Sequence, residues 1–292
     1  MPTSHIEALR TMLRQEKGVL LPGVPNALGA RIVADLGFKA VYLSGAGLTN
    51  MYLGLPDLGF MDLSQLAEHV MAIRSVTDLP LIADADTGFG NAINVTHTVR
   101  ILEQAGVSGM QMEDQHSPKR CGHFAGKELI PLAEMLGKIK AAVDSRRQNM
   151  VIIARTDACA VEGFEAAIER ASRFAEAGAD VTFVEAPESL DDLKAVPRRV
   201  KAPQMLNLVL GGKTPIIDRA AAAEMGFSLV LYANAALQGA VSGMQTTLAA
   251  LRKDGVLSEG VVTSFAERQR LVDKPAYDAM EVRYAAKAFD TR

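Results

Sequence analysis

The chain has 292 residues, of which 49% are hydrophobic and 22% charged, which supports a sizeable buried core and excludes a disordered chain. A net charge of −3 and a sequence pI near 6.0 give no electrostatic basis for binding nucleic acid or an anionic membrane. The two cysteines, Cys121 and Cys159, make no disulfide framework and fit a reducing compartment, so the expected location is cytoplasmic.

The first segment, MPTSHIEALRTMLRQEKG, carries charges throughout and reads as an amphipathic helix, not a signal peptide. Eight short, nearly continuous apolar runs follow: VLLPGV (19–24), AVYLSGA (40–46), LPLIADAD (79–86), GMQMED (109–114), MVIIART (150–156), VTFVEA (181–186), PQMLNLV (203–209) and FSLVLYAN (227–234). Such runs are expected of parallel strands buried on both faces. Helical patterns such as LSQLAEHVMAIRSV and FEAAIERASRFAEAGAD separate them, and Gly37, Gly106, Gly178 and Gly226 stand where a helix ends shortly before a strand. Strand–helix units with right-handed crossovers close into an α/β fold, the (β/α)₈ TIM-type barrel, which fills about 250 residues as one domain. A doubly wound open sheet is the alternative. The stretch Phe227 to Leu251 is interrupted by Asn234, Gln238, Ser242 and Gln245 and is too polar for a membrane span. The reading is one barrel domain over 1–292, with 264–292 as a C-terminal helical extension broken at Pro275. That extension either makes oligomer contacts or caps the barrel.

Catalytic groups of such barrels sit at the C-terminal ends of the strands. Ser44, Asp84, Asp86, Glu113, Asp114, Arg155, Asp157, Glu185, Asn207 and Asn234 all fall there. One such residue reads as a solvated loop charge; a ring of them reads as a shared site. Asp57, Asp84, Asp86 and Glu113 form a carboxylate cluster that protons or a cation must neutralise. Oxygen donors without His or Cys point to Mg²⁺, or Mn²⁺, over zinc. A salt-bridged cluster is the competing reading, weakened because the nearest basic run lies on a loop.

That loop, residues 118–127 (PKRCGHFAGK), is the most informative segment. Cys159 reads as a small buried hydrophobe. Cys121 differs: Lys119, Arg120 and His123 flank it, and positive neighbours lower a thiol pKa and permit proton exchange near neutral pH.

YLSGAG, GLPDLG, DADTGFGN, MEDQ, KRCGH and ARTDA, in this order and spacing, resemble the isocitrate lyase/phosphoenolpyruvate mutase superfamily over nearly the whole chain. The KRCGH loop is similar to that of the lyase branch, the 2-methylisocitrate and 2,3-dimethylmalate lyases. The resemblance implies a helix-swapped barrel, commonly a homotetramer, acting on a small polycarboxylate. It also implies Asp84 as a direct Mg²⁺ ligand, with Asp57, Asp86 and Glu113 holding the metal's waters. Ser44, Gly45, Ala46 and the loop's Gly122 would contact substrate, Arg155 would clamp a carboxylate, and Glu185 and Asn207 would complete the pocket. Where related lyases carry a Glu after strand seven, this chain has Leu210, and Tyr232-Ala233-Asn234 replaces a YPL-type sequence after strand eight. Both departures bear on the exact substrate.

The implied chemistry is Mg²⁺-dependent cleavage of a 2-hydroxy di- or tricarboxylate to pyruvate or a similar 2-oxo acid plus a carboxylate. Tyr42 is the candidate base by resemblance; Arg155 and His123 stabilise the dianionic fragment, and Cys121 protonates it. Oxaloacetate hydrolysis at the same site is the alternative. Phosphonate chemistry is disfavoured by Cys121, and a non-catalytic metabolite-binding barrel requires a lost ligand or proton donor, of which none is lost.

Overall fold

The eight apolar runs pair in chain order, each parallel to the next, and the last returns to the first, so the sheet closes into a barrel. The computed structural model describes residues 4–122 and 126–285. Its strands are β1 (Val19–Val24), β2 (Val41–Leu43), β3 (Leu81–Asp84), β4 (Gly109–Glu113), β5 (Val151–Thr156), β6 (Val181–Val184), β7 (Gln204–Asn207) and β8 (Leu229–Tyr232). In six of the eight the strand stops short of the apolar run that announces it, and the last residues of that run leave the ladder to form the rim; β1 and β5 reach the ends of theirs. Helices lie between the strands, and Gly37, Gly106, Gly178 and Gly226 all adopt the positive φ that ends a helix without steric cost.

Although the strands are apolar on both faces, their side chains still alternate. Tyr42, Ile82, Val151, Ile153, Val181, Phe183, Met205, Leu229 and Leu231 share one buried cluster. The intervening Val41, Leu43, Leu81, Ala83, Met110, Met112, Ile152 and Ala154 belong to another, packed with residues of the surrounding helices.

The amphipathic N-terminal segment forms helix His5–Gln15, capped by Ser4, whose hydroxyl accepts from the Glu7 N–H. Its Leu9, Met12 and Leu13 join the first of these clusters. The helix sits at the N-terminal mouth. Arg10 Nε donates to Asn149 O at 2.7 Å, just before β5, and Arg10 Nη1 meets Asp180 Oδ1 at 3.1 Å, just before β6. Asp180 also takes Arg146 Nη1 at 2.5 Å and the Ile152 N–H at 2.9 Å on its other oxygen.

The chain divides into two compact units, one ending at Leu237 and the other beginning at Gln238. In the second unit, Phe265–Leu271 and Lys274–Tyr284 are helices that pack against each other and bury no residue. The break between them falls at Val272 and Asp273, with Asp273 at φ 59°; Pro275 lies in the first turn of the second helix. The expected break at Pro275 is thus displaced, because proline is well tolerated where a helix begins and its missing N–H has no partner to lose. No helix among the described residues is long and apolar enough to cross a membrane.

Asp180→Ala removes the acceptor shared by two arginines and a strand N–H. We expect a loss of about 2–4 kcal/mol, seen as a fall in Tm of roughly 4–16 °C. An unchanged melting curve would show that this anchor contributes nothing.

Candidate active site

The inward phase of the strands continues into the rim. Counting on by two from the interior residues reaches Ser44, Asp84, Arg155, Glu185 and Asn207, and all five line one cavity of about 40 Å³ at the C-terminal mouth. Tyr42, Ala46, Asp57, Lys119, Cys121 and Gly122 line it too. Gly45, Asp86 and Glu113 stand immediately behind: the Gly45 N–H donates to Asp84 Oδ2 at 3.3 Å, Asp86 meets Lys119, and Glu113 meets Arg155. The structure therefore brings together every expected site residue except His123, which lies outside the described residues.

The cavity is deeply buried and rich in charge. Asp84 Oδ1 accepts from the Asp86 N–H at 3.1 Å and from Gln111 Nε2 at 3.3 Å, while Gln111 Oε1 accepts from the Tyr42 hydroxyl at 2.5 Å. Burial raises Asp84, with the Asp57 carboxylate adding to the effect against Lys119 and Arg155. Burial and the neighbouring Asp84 and Asp57 push Asp86 up to about 7 despite Lys119. Glu113 is held well above the usual carboxylate range, first by burial. Burial and the Asp84 carboxylate likewise push the Tyr42 phenol well up. Asp86 also adopts φ 47°, an uncommon backbone setting for a residue other than glycine.

Lys119 corrects one expectation. Its loop position argues against a salt-bridged cluster, yet the loop carries Lys119 into the carboxylates, with Nζ 2.5 Å from Asp57 Oδ1 and 3.0 Å from Asp86 Oδ1. Burial works against this ammonium, yet the surrounding carboxylates outweigh it and push its pKa well up. Arg155 is held similarly. Its Nε and Nη2 grip Asp157 at 2.9 Å each, Glu113 lies 3.4 Å from Nε, Glu185 lies 3.8 Å from Nη1, and the Phe183 ring lies 5.2 Å from Cζ. Burial opposes the ionised form of Asp157, but Arg155 and Lys127 overcome it and bring its pKa down to about 2.

The donor set fits a hard divalent cation. It is made of oxygen: Asp57, Asp84, Asp86 and Glu113 crowd together with Lys119 and Arg155 as the cations among them, and burial is the first cause of the raised Asp84, Asp86 and Glu113. No three acidic, His or Cys side chains among the described residues converge closely enough to hold an ion directly. The fit is therefore to an ion carrying waters, which suits Mg²⁺.

On the far wall, Asn207 Nδ2 donates to Glu185 Oε1 at 3.4 Å, and buried Asn207 Oδ1 has no hydrogen-bond partner among the described residues. Ser44 Oγ accepts from the Gly47 N–H at 3.0 Å and donates to Asn234 Oδ1 at 3.4 Å. Leu210, expected to shape the pocket, is 60% exposed; its neighbour Val209 lines the cavity, because the side chains on either side of a backbone bond point apart. Gln111, Gln115 and Lys127 carry no candidate role in the sequence, whereas Asp157 stands there as one of the strand-end polar residues. Gln111 shares the inward phase of Glu113, which is the signal that finds it.

An acid-lined, cation-ready pocket with a cysteine at the C-terminal mouth of a (β/α)₈ barrel defines a class of barrel enzymes that act on small anionic acids. The family model described as phosphoenolpyruvate phosphomutase matches residues 9–252, and the chain belongs to the isocitrate lyase/phosphoenolpyruvate mutase superfamily. Among relatives, a 2,3-dimethylmalate lyase of Eubacterium barkeri is 39% identical, covering 95% of this chain and 97% of that protein. A 2-methylisocitrate lyase of Aeropyrum pernix is 43% identical, covering 95% and 89%. A crystal structure of 2,3-dimethylmalate lyase matches with TM-score 0.92 at 33% identity, covering 100% of this chain and 99% of that one. An oxaloacetate acetylhydrolase in complex with 3,3-difluorooxalacetate matches with TM-score 0.90 at 36% identity, covering 97% of each. A phosphonopyruvate hydrolase complex with oxalate and Mg²⁺ matches with TM-score 0.87 at 32% identity, covering 97% and 99%.

The two cysteines should differ sharply in reactivity. Burial, reinforced by carboxylates, pushes the Cys159 thiol up to about 12, so it holds almost no thiolate at neutral pH. Mass spectrometry after iodoacetamide treatment of native protein at pH 8 should find the label on Cys121, with Cys159 modified only after unfolding. Equal labelling of the two would contradict this account.

Proposed function

We propose that the protein is a Mg²⁺-dependent carbon–carbon lyase that cleaves a 2-hydroxy di- or tricarboxylate of the 2,3-dimethylmalate or 2-methylisocitrate type. The observation that carries this reading is the meeting of Cys121 with Asp84, Arg155, Glu185 and Asn207 around one cavity. Such a set can hold an anionic substrate, take up a proton and return one to carbon. The relatives named 2,3-dimethylmalate lyase and 2-methylisocitrate lyase support the same chemistry.

In this reading Asp84 would hold the ion directly, and Asp57, Asp86 and Glu113 would hold its waters. Bound Mg²⁺ would supply positive charge beside Asp84, favouring ionisation of the substrate's 2-hydroxyl and of the Tyr42 phenol. Arg155 takes a substrate carboxylate; three protein carboxylates already orient its guanidinium, so little ordering remains when the substrate arrives. Asn207 Oδ1, a buried acceptor lacking a donor among the described residues, suits a ligand that carries a hydroxyl. Ser44, Gly45, Ala46 and Gly122 shape the remaining walls.

Gln111 accepts the Tyr42 hydrogen, so the lone pairs of Tyr42 Oη are directed toward the cavity, where the 2-hydroxyl donates. Tyr42, its own proton released to solvent before the substrate closes the cavity, receives that proton as the phenolate. C2 becomes a carbonyl, the C2–C3 bond breaks, and its electron pair passes to C3 and the adjoining carboxylate. Arg155, with His123 from the loop, offsets the negative charge of that fragment. The Cys121 thiol protonates C3 and is left as a thiolate. The products are pyruvate or a related 2-oxo acid and a carboxylate.

The oxaloacetate acetylhydrolase relationship favours one alternative, hydrolysis of oxaloacetate to oxalate and acetate at the same site. Pyruvate release from 2,3-dimethylmalate, 2-methylisocitrate and 2-methylmalate, measured by a coupled assay, decides between them. We expect release that is abolished by EDTA, restored by Mg²⁺, and lowered at least about 100-fold in Cys121→Ser. Oxalate from oxaloacetate without pyruvate from these acids would reverse the order of the two readings.

We further propose a cytoplasmic homotetramer. Helices Phe265–Leu271 and Lys274–Tyr284 bury nothing, and Phe265, Tyr277 and Val282 are 71%, 58% and 76% exposed. Apolar surface of this kind is characteristic of an interface. Light scattering coupled to size exclusion should give four times the 31.2 kDa of one chain; a monomer would end this part of the proposal.

A further inference from the structure

Two buried polar side chains that the reaction scheme leaves unused act on the backbone either side of Cys121. On the N-terminal side, Gln115 is 1% exposed and turns its carboxamide onto Arg120. Gln115 Oε1 accepts the Arg120 N–H at 2.9 Å, and Nε2 donates to the Arg120 carbonyl at 2.7 Å. The same Nε2 donates to Glu113 Oε1 at 2.9 Å, which ties this grip to the end of β4. On the C-terminal side, Lys127, 8% exposed, donates to the Gly122 carbonyl and meets Asp157 Oδ1 at 2.8 Å.

Neither contact is a surface accident. A buried ammonium is tolerated only when paired, and Asp157, itself 0% exposed, provides that partner while also gripping Arg155. A buried amide that satisfies both backbone groups of one loop residue fixes that residue's position and orientation. Gly122 is pressed so close that a Cβ there would come within 2.4 Å of Arg155 Nη2 and 2.8 Å of Glu185 Oε1. The peptide units flanking the thiol are thus fastened to strand ends β4 and β5, which also carry Glu113 and Arg155.

We infer that Gln115 and Lys127 are positioning residues for Cys121, holding its two neighbouring peptide units so that the thiol is fixed relative to Arg155. The thiol's catalytic purpose rests on the lyase reading; the positioning itself does not. Gln115→Met and Lys127→Met keep side-chain length while removing the polar grips, and Lys127→Arg restores a cation.

The test is the rate of Cys121 alkylation by iodoacetamide in the Mg²⁺-loaded full chain, with Cys159 as the internal control for general loosening. Each Met variant that melts cooperatively should alkylate Cys121 at least about tenfold faster than wild type, with Cys159 still unlabelled. Lys127→Arg should return most of the wild-type rate. Steady-state kinetics should show kcat falling about tenfold or more while KM changes far less. Wild-type alkylation rates in both folded Met variants would overturn the inference, as would labelling of Cys159 in step with Cys121. If wild type makes no pyruvate from the tested acids, the lyase reading fails, and the alkylation rates still decide this inference.

Discussion

Closing a parallel sheet leaves each strand only two directions for its side chains, into the lumen or out to the helical coat. At the C-terminal mouth that restriction drives Asp84, Glu113 and Glu185 together in a largely buried space. An isolated carboxylate in such a place would take up a proton, and the raised pKa values of Asp84 and Glu113 record that pressure. Everything else at the mouth answers to this crowding of negative charge. Lys119 enters from a loop to sit between Asp57 and Asp86, Arg155 spreads its guanidinium over three carboxylates, and room for further positive charge remains.

Asp157 shows how one well-compensated group stabilises the others. Arg155 and Lys127 both pair with it, and its N–H donates to Asp114 Oδ1 at 3.0 Å. Asp114 in turn accepts from Thr156 and Arg170. Ion pairs of Asp157 with Arg155 and Lys127, and of Asp114 with Arg170, joined through the Asp157 N–H, connect the substrate-facing arginine with the loop and with the outer helix that carries Arg170. Removing one member leaves another charged and unpaired in a dry interior, a costly state, so the rigidity of the mouth follows from electrostatics more than from shape.

The barrel was legible because its signal is repeated. Eight apolar runs, helical patterns between them and glycines at helix ends each reinforce the same architecture. Asp84, Arg155, Glu185 and Asn207 were legible for a related reason: a polar residue at the end of an apolar strand stands out, and period two assigns its direction. Loops offer no such rule. Nothing in residues 118–127 said that Lys119 would turn into the carboxylates while Arg120 would not, nor that Lys127 would return to Asp157. Gln111 and Gln115 escaped attention because a neutral amide declares no purpose until its partners are known. Val209, not Leu210, faces the cavity because it continues the inward phase of Met205 and Asn207 by two more residues, which leaves Leu210 on the opposite side.

Helix His5–Gln15 closes the N-terminal end of a barrel whose interior is already filled. Its Leu9, Met12 and Leu13 pack into the same cluster as Tyr42, Ile82, Val151 and Phe183, so the cavity at the opposite end rests on a solid floor of side chains. Tyr42 belongs to both, lining the cavity above and the packed cluster below. The two ends of the barrel therefore communicate through packing and not through a passage, and a change of volume in the helix reaches the site only by shifting the layers between them.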